Sequence, residues 1–212
     1  MRVATGITRI VNGQLIDGTG SAPVRDAVVM VDDRRITYAG PAIGAPVSAT
    51  DVQQIDANGG TIMPGLVESH FHATYYNVLH LEDLDIKYPP EMVALQTTFN
   101  SRMALECGYT SARSAGCLFN TDVWLAEAIE TDMVPGPRFV PGGQEICGAG
   151  GVMDWNPDFR KIGMEGVIIV VDGVDSARSA ARRLVKAKIR RRRKLPGTAS
   201  RMGRRAVDSF PL

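Results

Sequence analysis

The first sixty positions alternate apolar and polar residues in short runs separated by turn formers. The segments 7–13 (ITRIVNG), 25–33 (RDAVVMVDD), 34–41 (RRITYAGP) and 52–57 (VQQIDA) each have the length and β-branched content of a strand. Asn12-Gly13 closes the first as a turn pair, Asp32-Asp33 suits a tight reversal, and Asn58-Gly59-Gly60 ends the last. The pattern predicts a small antiparallel sheet over residues 6–60, thin enough that it must bury a face against another layer.

After residue 60 the period changes. Residues 61–63 and 66–67 are apolar, as in a buried strand, with Pro64-Gly65 interrupting them. A helix is expected after Pro89-Pro90, with Met92, Val93, Leu95, Phe99, Met103, Ala104 and Leu105 at helical spacing and Gly108 closing it. Residues 109–114 read as a strand. Residues 121–132 read as a short helix capped by Thr121, with Trp124, Leu125, Ala128 and Ile129 on its apolar face. A short strand (GPRFVPGG), an apolar segment (GMEGVIIVVDG) and a helix (DSARSAARRLVKAKI) follow. Strand and helix in alternation imply an α/β architecture.

Composition narrows the class. With 44% hydrophobic and 22% charged residues among 212, the chain is that of a folded globular protein. No apolar run reaches bilayer length, and the first residues lack the apolar stretch of a signal peptide, so a cytoplasmic location with no membrane partner is expected. Cys107, Cys117 and Cys147 form no CxxC pair and read as reduced, mostly buried small apolar residues.

The net charge of +1 conceals an abrupt switch. Half of the 24 Lys and Arg fall from Arg182 onward, against the single acid Asp208. Residues 190–212 show almost no apolar periodicity and are expected to be a basic, disordered tail. Its arginines would attract phosphate, but no aromatic residues interleave them, so the charge licenses nonspecific nucleic-acid contact only.

His70 and His72 are the sharpest chemical signal. In a strand, residues i and i+2 share a face, so both imidazoles project together. Imidazole is a good ligand for zinc, nickel, iron or cobalt. In a (β/α)₈ barrel, catalytic groups stand at the C-terminal ends of strands, where this pair falls. Glu68, two residues before His70, shares that face and could support a metal site. Phe71 faces the other way, toward packing.

The stretch Met63-Pro64-Gly65-Leu66-Val67-Glu68-Ser69-His70-Phe71-His72 resembles the first-strand signature of the amidohydrolase superfamily of metal-dependent hydrolases. The preceding NGQLIDGTG, AVVMVDDRRITYAG and QQIDANGGTIMPG are similar to the small β domain with which members begin. GYTSARSAG and GPRFVPGGQEICGAGG resemble later family segments, and the likeness runs from residue 6 to about 188. The resemblance implies a composite fold: a small β domain over 1–60, a partial TIM-like (β/α) barrel over 61–189, then the tail at 190–212. It implies hydrolysis of amide, cyclic amide or dipeptide-like C–N bonds in a small-molecule substrate by a metal-activated water. His70 and His72 would be metal ligands, and the cofactor a divalent metal, zinc first.

The resemblance also exposes gaps. Members add a lysine or glutamate from strand 4, histidines from strands 5 and 6, and an aspartate base from strand 8. The remaining histidine, His80, lies in LHLEDLD, reads as a loop residue and cannot supply two ligands. Lys186, Lys188 and Lys194 sit on no convincing apolar strand, so none is assigned as the lysine, and the catalytic base has no candidate. The chain is short of a full barrel of about 250 residues. The expectation is an N-terminal portion, inactive by itself, with the charge switch read as a frameshift near residues 186–190. A missing C-terminal half or a homo-oligomer would be its partner. The alternatives are a non-catalytic remnant or partner-binding fragment, and nonspecific nucleic-acid contact through the tail.

The glycines from Gly142 to Gly151 lack the Gly-Lys-Ser/Thr of a phosphate loop and suit turns at a barrel mouth. Asp154, Trp155 and Asn156 were candidates for a substrate loop. Arg113 matches the family's strand-2 arginine and could face the barrel mouth or form a structural salt bridge.

Overall fold

The computed structural model describes residues 6–47, 52–81, 83–157 and 166–192, with backbone only for 188–192. It divides into two compact units, residues 1–65 and 66–212. The expected disordered tail falls outside the described residues from 193 onward. No helix among the described residues is long and apolar enough to cross a membrane.

The first unit is a five-stranded sheet of β1 (Ile7–Leu15), β2 (Val24–Asp32), β3 (Arg35–Pro41), β4 (Val52–Asp56) and β5 (Thr61–Ile62). The order is β3-β2-β1-β4, with β5 pairing the far end of β1. β2 runs antiparallel to both β1 and β3, but β4 and β5 lie parallel to β1, so the sheet is mixed rather than purely antiparallel. Asp33 and Arg34 reverse the chain between Asp32 and Arg35, with Asp33 at φ +53°.

Asn12-Gly13 does not end its strand. It forms a bulge inside β1, with Asn12 at φ +56° and the register shifting between Ile10 and Gly13. The reason is local. Ile62 and Ala57 lie where a Cβ on Gly13 would stand, and Asn12 Nδ2 donates to Asp56 Oδ1 at 2.8 Å. That same oxygen accepts the Asn58 backbone N–H at 2.7 Å. The Asn58 bond first, and the Asn12 bond second, hold the Asp56 carboxyl below the usual aspartate range. Leu15, Ala27 and Val29 form the core, flanked by Ile10, Val24, Val31 and Ile62. β2 is buried at four successive positions, Ala27 to Met30, so the one-sided alternation fails there.

The second unit opens with β6 (Leu66–Phe71), then α1 (Asp83–Ile86) and α2 (Pro90–Glu106), β7 (Tyr109–Ser114), α3 (Thr121–Glu130) and β8 (Arg138–Val140). β6, β7 and β8 form a parallel sheet in that order, as strand–helix–strand crossovers require. β9 (Glu145–Gly148) and β10 (Ile168–Val171) form a second parallel pair, and α4 (Gly173–Arg192) follows, so residues 190–192 are helical. One core cluster, Ala73, Ala112, Leu125, Ala126 and Phe139, joins the sheet to α3. Another, Leu84, Val93, Leu118, Val167 and Ile168, gathers α1, α2 and β10.

Both crossover helices depart from the expected faces. Val93 of α2 is buried, but its other buried positions are Gln96, Thr97, Asn100 and Ser101, while Met92, Leu95, Phe99 and Met103 are exposed. The polar face docks because Asn100 Nδ2 donates to the carbonyls of Ala73 at 2.9 Å and Tyr75 at 3.0 Å. These are carbonyls of the irregular segment after β6, which has no ladder to satisfy them. In α3, Thr121 is the first helical residue rather than the cap, and its Oγ1 donates back to the Leu118 carbonyl. Trp124 is exposed; Val123, Leu125 and Ala126 form the buried face. Of the cysteines, Cys117 alone is buried; Cys107, at the end of α2, is exposed and Cys147 is half-buried.

Asp85 ties three segments together. Its Oδ2 accepts from Trp155 Nε1 at 2.9 Å and its Oδ1 from the Val167 N–H at 2.8 Å. Replacing Asp85 with Ala strands a buried N–H and frees the indole. The expected loss is on the order of 3 kcal/mol, read as a lower urea midpoint together with red-shifted tryptophan emission. An unchanged midpoint would refute the tie.

Candidate functional site

β6 bulges just before its end. Two residues, Ser69 and His70, lie between Glu68 and Phe71, against one, Arg113, between their β7 partners Ala112 and Ser114. Bulges of this kind re-aim side chains near functional sites. The His70 N–H donates to Glu68 Oε1 at 3.0 Å. Glu68 therefore supports the backbone beside the histidines and takes no direct part in holding an imidazole. Phe71 packs edge-to-face on Phe139, with centroids 6.1 Å apart, pinning β6 to β8.

His70 and His72 meet. Their Nε2 atoms are 3.1 Å apart and the rings cross at 68°. His72 Nδ1 lies 3.1 Å from the Gly116 carbonyl oxygen. A carbonyl only accepts, so Nδ1 donates, and in the neutral tautomer that this selects, the His72 Nε2 presents a lone pair. Tyr75 stacks on His72 at 4.2 Å and 11°, fixing the ring plane. Burial first, then the negative charges of Glu145 and Asp85, raise the Tyr75 hydroxyl far above the ordinary tyrosine range, so it stays protonated. His80 is exposed, in the turn before α1, and takes no part in this pair.

An open cleft of about 380 Å³ adjoins the pair, lined by Ser69, His70, Arg113, Ser114 and the segment from Gly142 to Glu145. That size lies at the lower end of small-molecule sites, about 300–1,000 Å³. Its far wall is held from beneath. Asp122 is fully buried, and its Oδ2 accepts the N–H groups of Gly142 at 2.7 Å and Gly143 at 2.9 Å. Asn120, in the left-handed region at φ +57°, exchanges two amide hydrogen bonds with Gln144. Cys117 N–H donates to the Gly143 carbonyl. The glycines are thus turn and wall elements, as expected. Glu145 rests against Gly116, where no side chain could stand beside it.

The loop candidates take other duties. Asp154 Oδ2 accepts the Gly150 N–H, and Trp155 is bound to Asp85. Sequence reasoning missed Asp122 and Glu145. Neither belongs to a spaced motif; the only signal for Glu145 was its place beside the paired glycines.

No family model matches the chain. It is 46% identical over 65 residues to 5-methylthioadenosine/S-adenosylhomocysteine deaminase of Symbiobacterium thermophilum, covering 30% of this chain and 15% of that protein. It is 26% identical over 203 residues to ochratoxinase of Aspergillus niger, covering 83% and 39%. A solved prolidase, complexed with N-methylphosphonate-L-proline, superposes with a TM-score of 0.71 at 29% identity, covering 85% of this chain and 44% of that one. These homologues belong to the amidohydrolase, or metal-dependent hydrolase, superfamily, and the α/β fold is related to that of its TIM-barrel members. The chain spans less than half the length of each.

Burial first, and the adjacent Asp122 carboxylate second, push the Cys117 thiol well above its ordinary value. A buried, protonated thiol is inert. In the native protein at pH 8, Ellman's reagent should label exposed Cys107 readily and Cys117 only after denaturation. Rapid labelling of Cys117 in the folded state would contradict its burial against Asp122.

Proposed function

We propose that this chain carries the first metal-binding strand of an amidohydrolase-type enzyme, with β6, β7 and β8 as the opening strands of a (β/α) barrel. His70 and His72 are its first two metal ligands. The proposed activity is hydrolysis of amide, cyclic amide or dipeptide-like C–N bonds.

The observation that carries this reading is the geometry of the two imidazoles. Zinc–nitrogen bonds of about 2.0–2.1 Å at a tetrahedral angle place two ligand nitrogens about 3.3–3.4 Å apart. The Nε2 atoms here are 3.1 Å apart, so a small shift lets both face one cation. The Gly116 carbonyl already holds His72 in the tautomer a metal needs, as backbone carbonyls do behind ligating histidines. A divalent ion bound there would supply an acidified water and polarise a carbonyl.

Among the described residues no group of three or more His, Cys, Asp or Glu converges to hold a metal. The pair therefore supplies half of a tetrahedral shell, and turnover depends on groups beyond it. Glu68 fixes the His70 backbone, Tyr75 the His72 ring, and Asp122 the wall facing them.

After dialysis against micromolar zinc, elemental analysis should show metal that is lost in His70→Ala and in His72→Ala, while turnover of amide, lactam and dipeptide substrates by the chain alone stays near background. Equal zinc retention by both variants would sink the ligand assignment. Robust turnover abolished by either variant would show a complete site assembled from residues beyond this pair.

A further inference from the structure

Helix α4 is docked by a narrow stripe. Ala180 is buried, Ala177, Leu184 and Ala187 are half-buried, and Leu184 packs at Gly143. This stripe sets the helix against α3 and β10. The opposite face is exposed and of one sign. Asp175 in the first turn is the only acid of α4, and every charged residue from Arg178 to Arg192 is basic. Arg182 and Lys186 are exposed, and among the described residues neither has an ion-pair partner. Arg178 meets Asp175 at 2.8 Å in a solvent-exposed pair, which is worth little against a stronger anion.

Spacing turns this charge into a surface. Arg178, Arg182 and Lys186 stand four residues apart, and the helical backbone continues the row to Arg190. At a rise of about 1.5 Å per residue, the cations repeat about every 6 Å along one ridge of the helix. A regular row of cations suits a partner whose anions also repeat, as they do along a phosphodiester backbone. α4 has no aromatic residue on which a base could stack, which removes the advantage of a single strand. Among its described side chains, Val174 and Val185 are the exposed large apolar ones, too small a face to lie in a bilayer surface. Residues 1–181 carry more acids than bases and repel a polyanion, so attraction is concentrated where α4 opens the basic stretch.

We propose that the outer ridge of α4 binds the phosphodiester backbone of a nucleic-acid duplex without regard to sequence. The surface is independent of the hydrolase reading, since it uses neither histidine and no charged group of the cleft.

The test is fluorescence anisotropy of the full chain with short labelled DNA duplexes of two unrelated sequences, over a range of sodium chloride. Both duplexes should bind alike, and log K should fall with log salt at a slope of about −2.7 or steeper, three phosphates at about 0.9 each. Arg182→Gln and Lys186→Gln should each make the slope shallower by about 0.9, and together by twice that, with far-UV circular dichroism unchanged. The charge-keeping pair Arg182→Lys and Lys186→Arg should restore it. Arg102→Gln, which removes an exposed charge from α2, should leave the slope as it is. A slope unmoved by the two glutamine substitutions, or lowered equally by Arg102→Gln, would overturn the assignment to α4. Preference for one sequence, tighter binding of the matching single strand, or stronger binding to phosphatidylserine vesicles than to duplex would overturn the choice of partner. Absence of binding at low salt would overturn both.

Discussion

The buried carboxylate of Asp122 is the constraint on which the site depends. It sits in the first turn of α3, where the helix dipole favours negative charge, and it grips two successive backbone N–H groups at Gly142 and Gly143. Everything on the far wall of the cleft takes its position from that grip. Gln144 can reach both Asn120 and the Gly166 carbonyl, and Glu145 can start β9 against Gly116. The two glycines are there because the backbone must come this close. Gly142 has the Ser114 carbonyl where a Cβ would stand, and Gly143 lies at φ +80°. The wall is a backbone structure anchored by one charge, and the histidines opposite are aimed by a bulge. The cleft is held by hydrogen bonds on both sides more than by apolar packing.

How much of this was legible depended on whether neighbours in sequence were also neighbours in space. The strands β2, β3 and β4 could be read because short β-branched runs bounded by turn pairs are local signals, and His70 and His72 because two residues apart on a strand means one face. Asn12-Gly13 misled for the same reason. The pair is equally good chemistry for a turn and for a bulge, and only the arrival of β4 and β5 beside β1 decides between them. The parallel pairing of β4 with β1 was likewise invisible to a reading that joined consecutive strands as hairpins. Of the partial barrel implied by the resemblance, the described strands display three parallel neighbours, β6 to β8, and a separate parallel pair, β9 and β10.

The buried acids that went unread, Asp122 and Asp85, share one property: their partners are 20 or more residues away. Asp122 looked like an ordinary first-turn acid, and its partners lie 20 and 21 positions on. Asp85 meets Trp155 across 70 positions. Asp154 and Trp155, two of the three loop candidates, stood out by residue type, yet one closes a local turn and the other is tethered. A conspicuous residue type in a loop says little until its hydrogen bonds are counted.

Helix α2 carries its own consequence for how the chain reaches this fold. Its longest apolar side chains, Met92, Leu95, Phe99 and Met103, stay exposed, with Phe99 meeting Tyr76 edge-to-face, while Asn100 docks the helix through two hydrogen bonds that need correct geometry. A collapsing chain gains most by hiding the methionines and the phenylalanine, which turns the helix the wrong way round. The native orientation instead pairs Asn100 with the carbonyls of Ala73 and Tyr75 and buries Val93. Local preference and final arrangement are thus in conflict on this one element, a frustrated step in an otherwise consistent landscape. The face that α2 presents is fixed by polar contacts together with Val93 alone among its large apolar side chains.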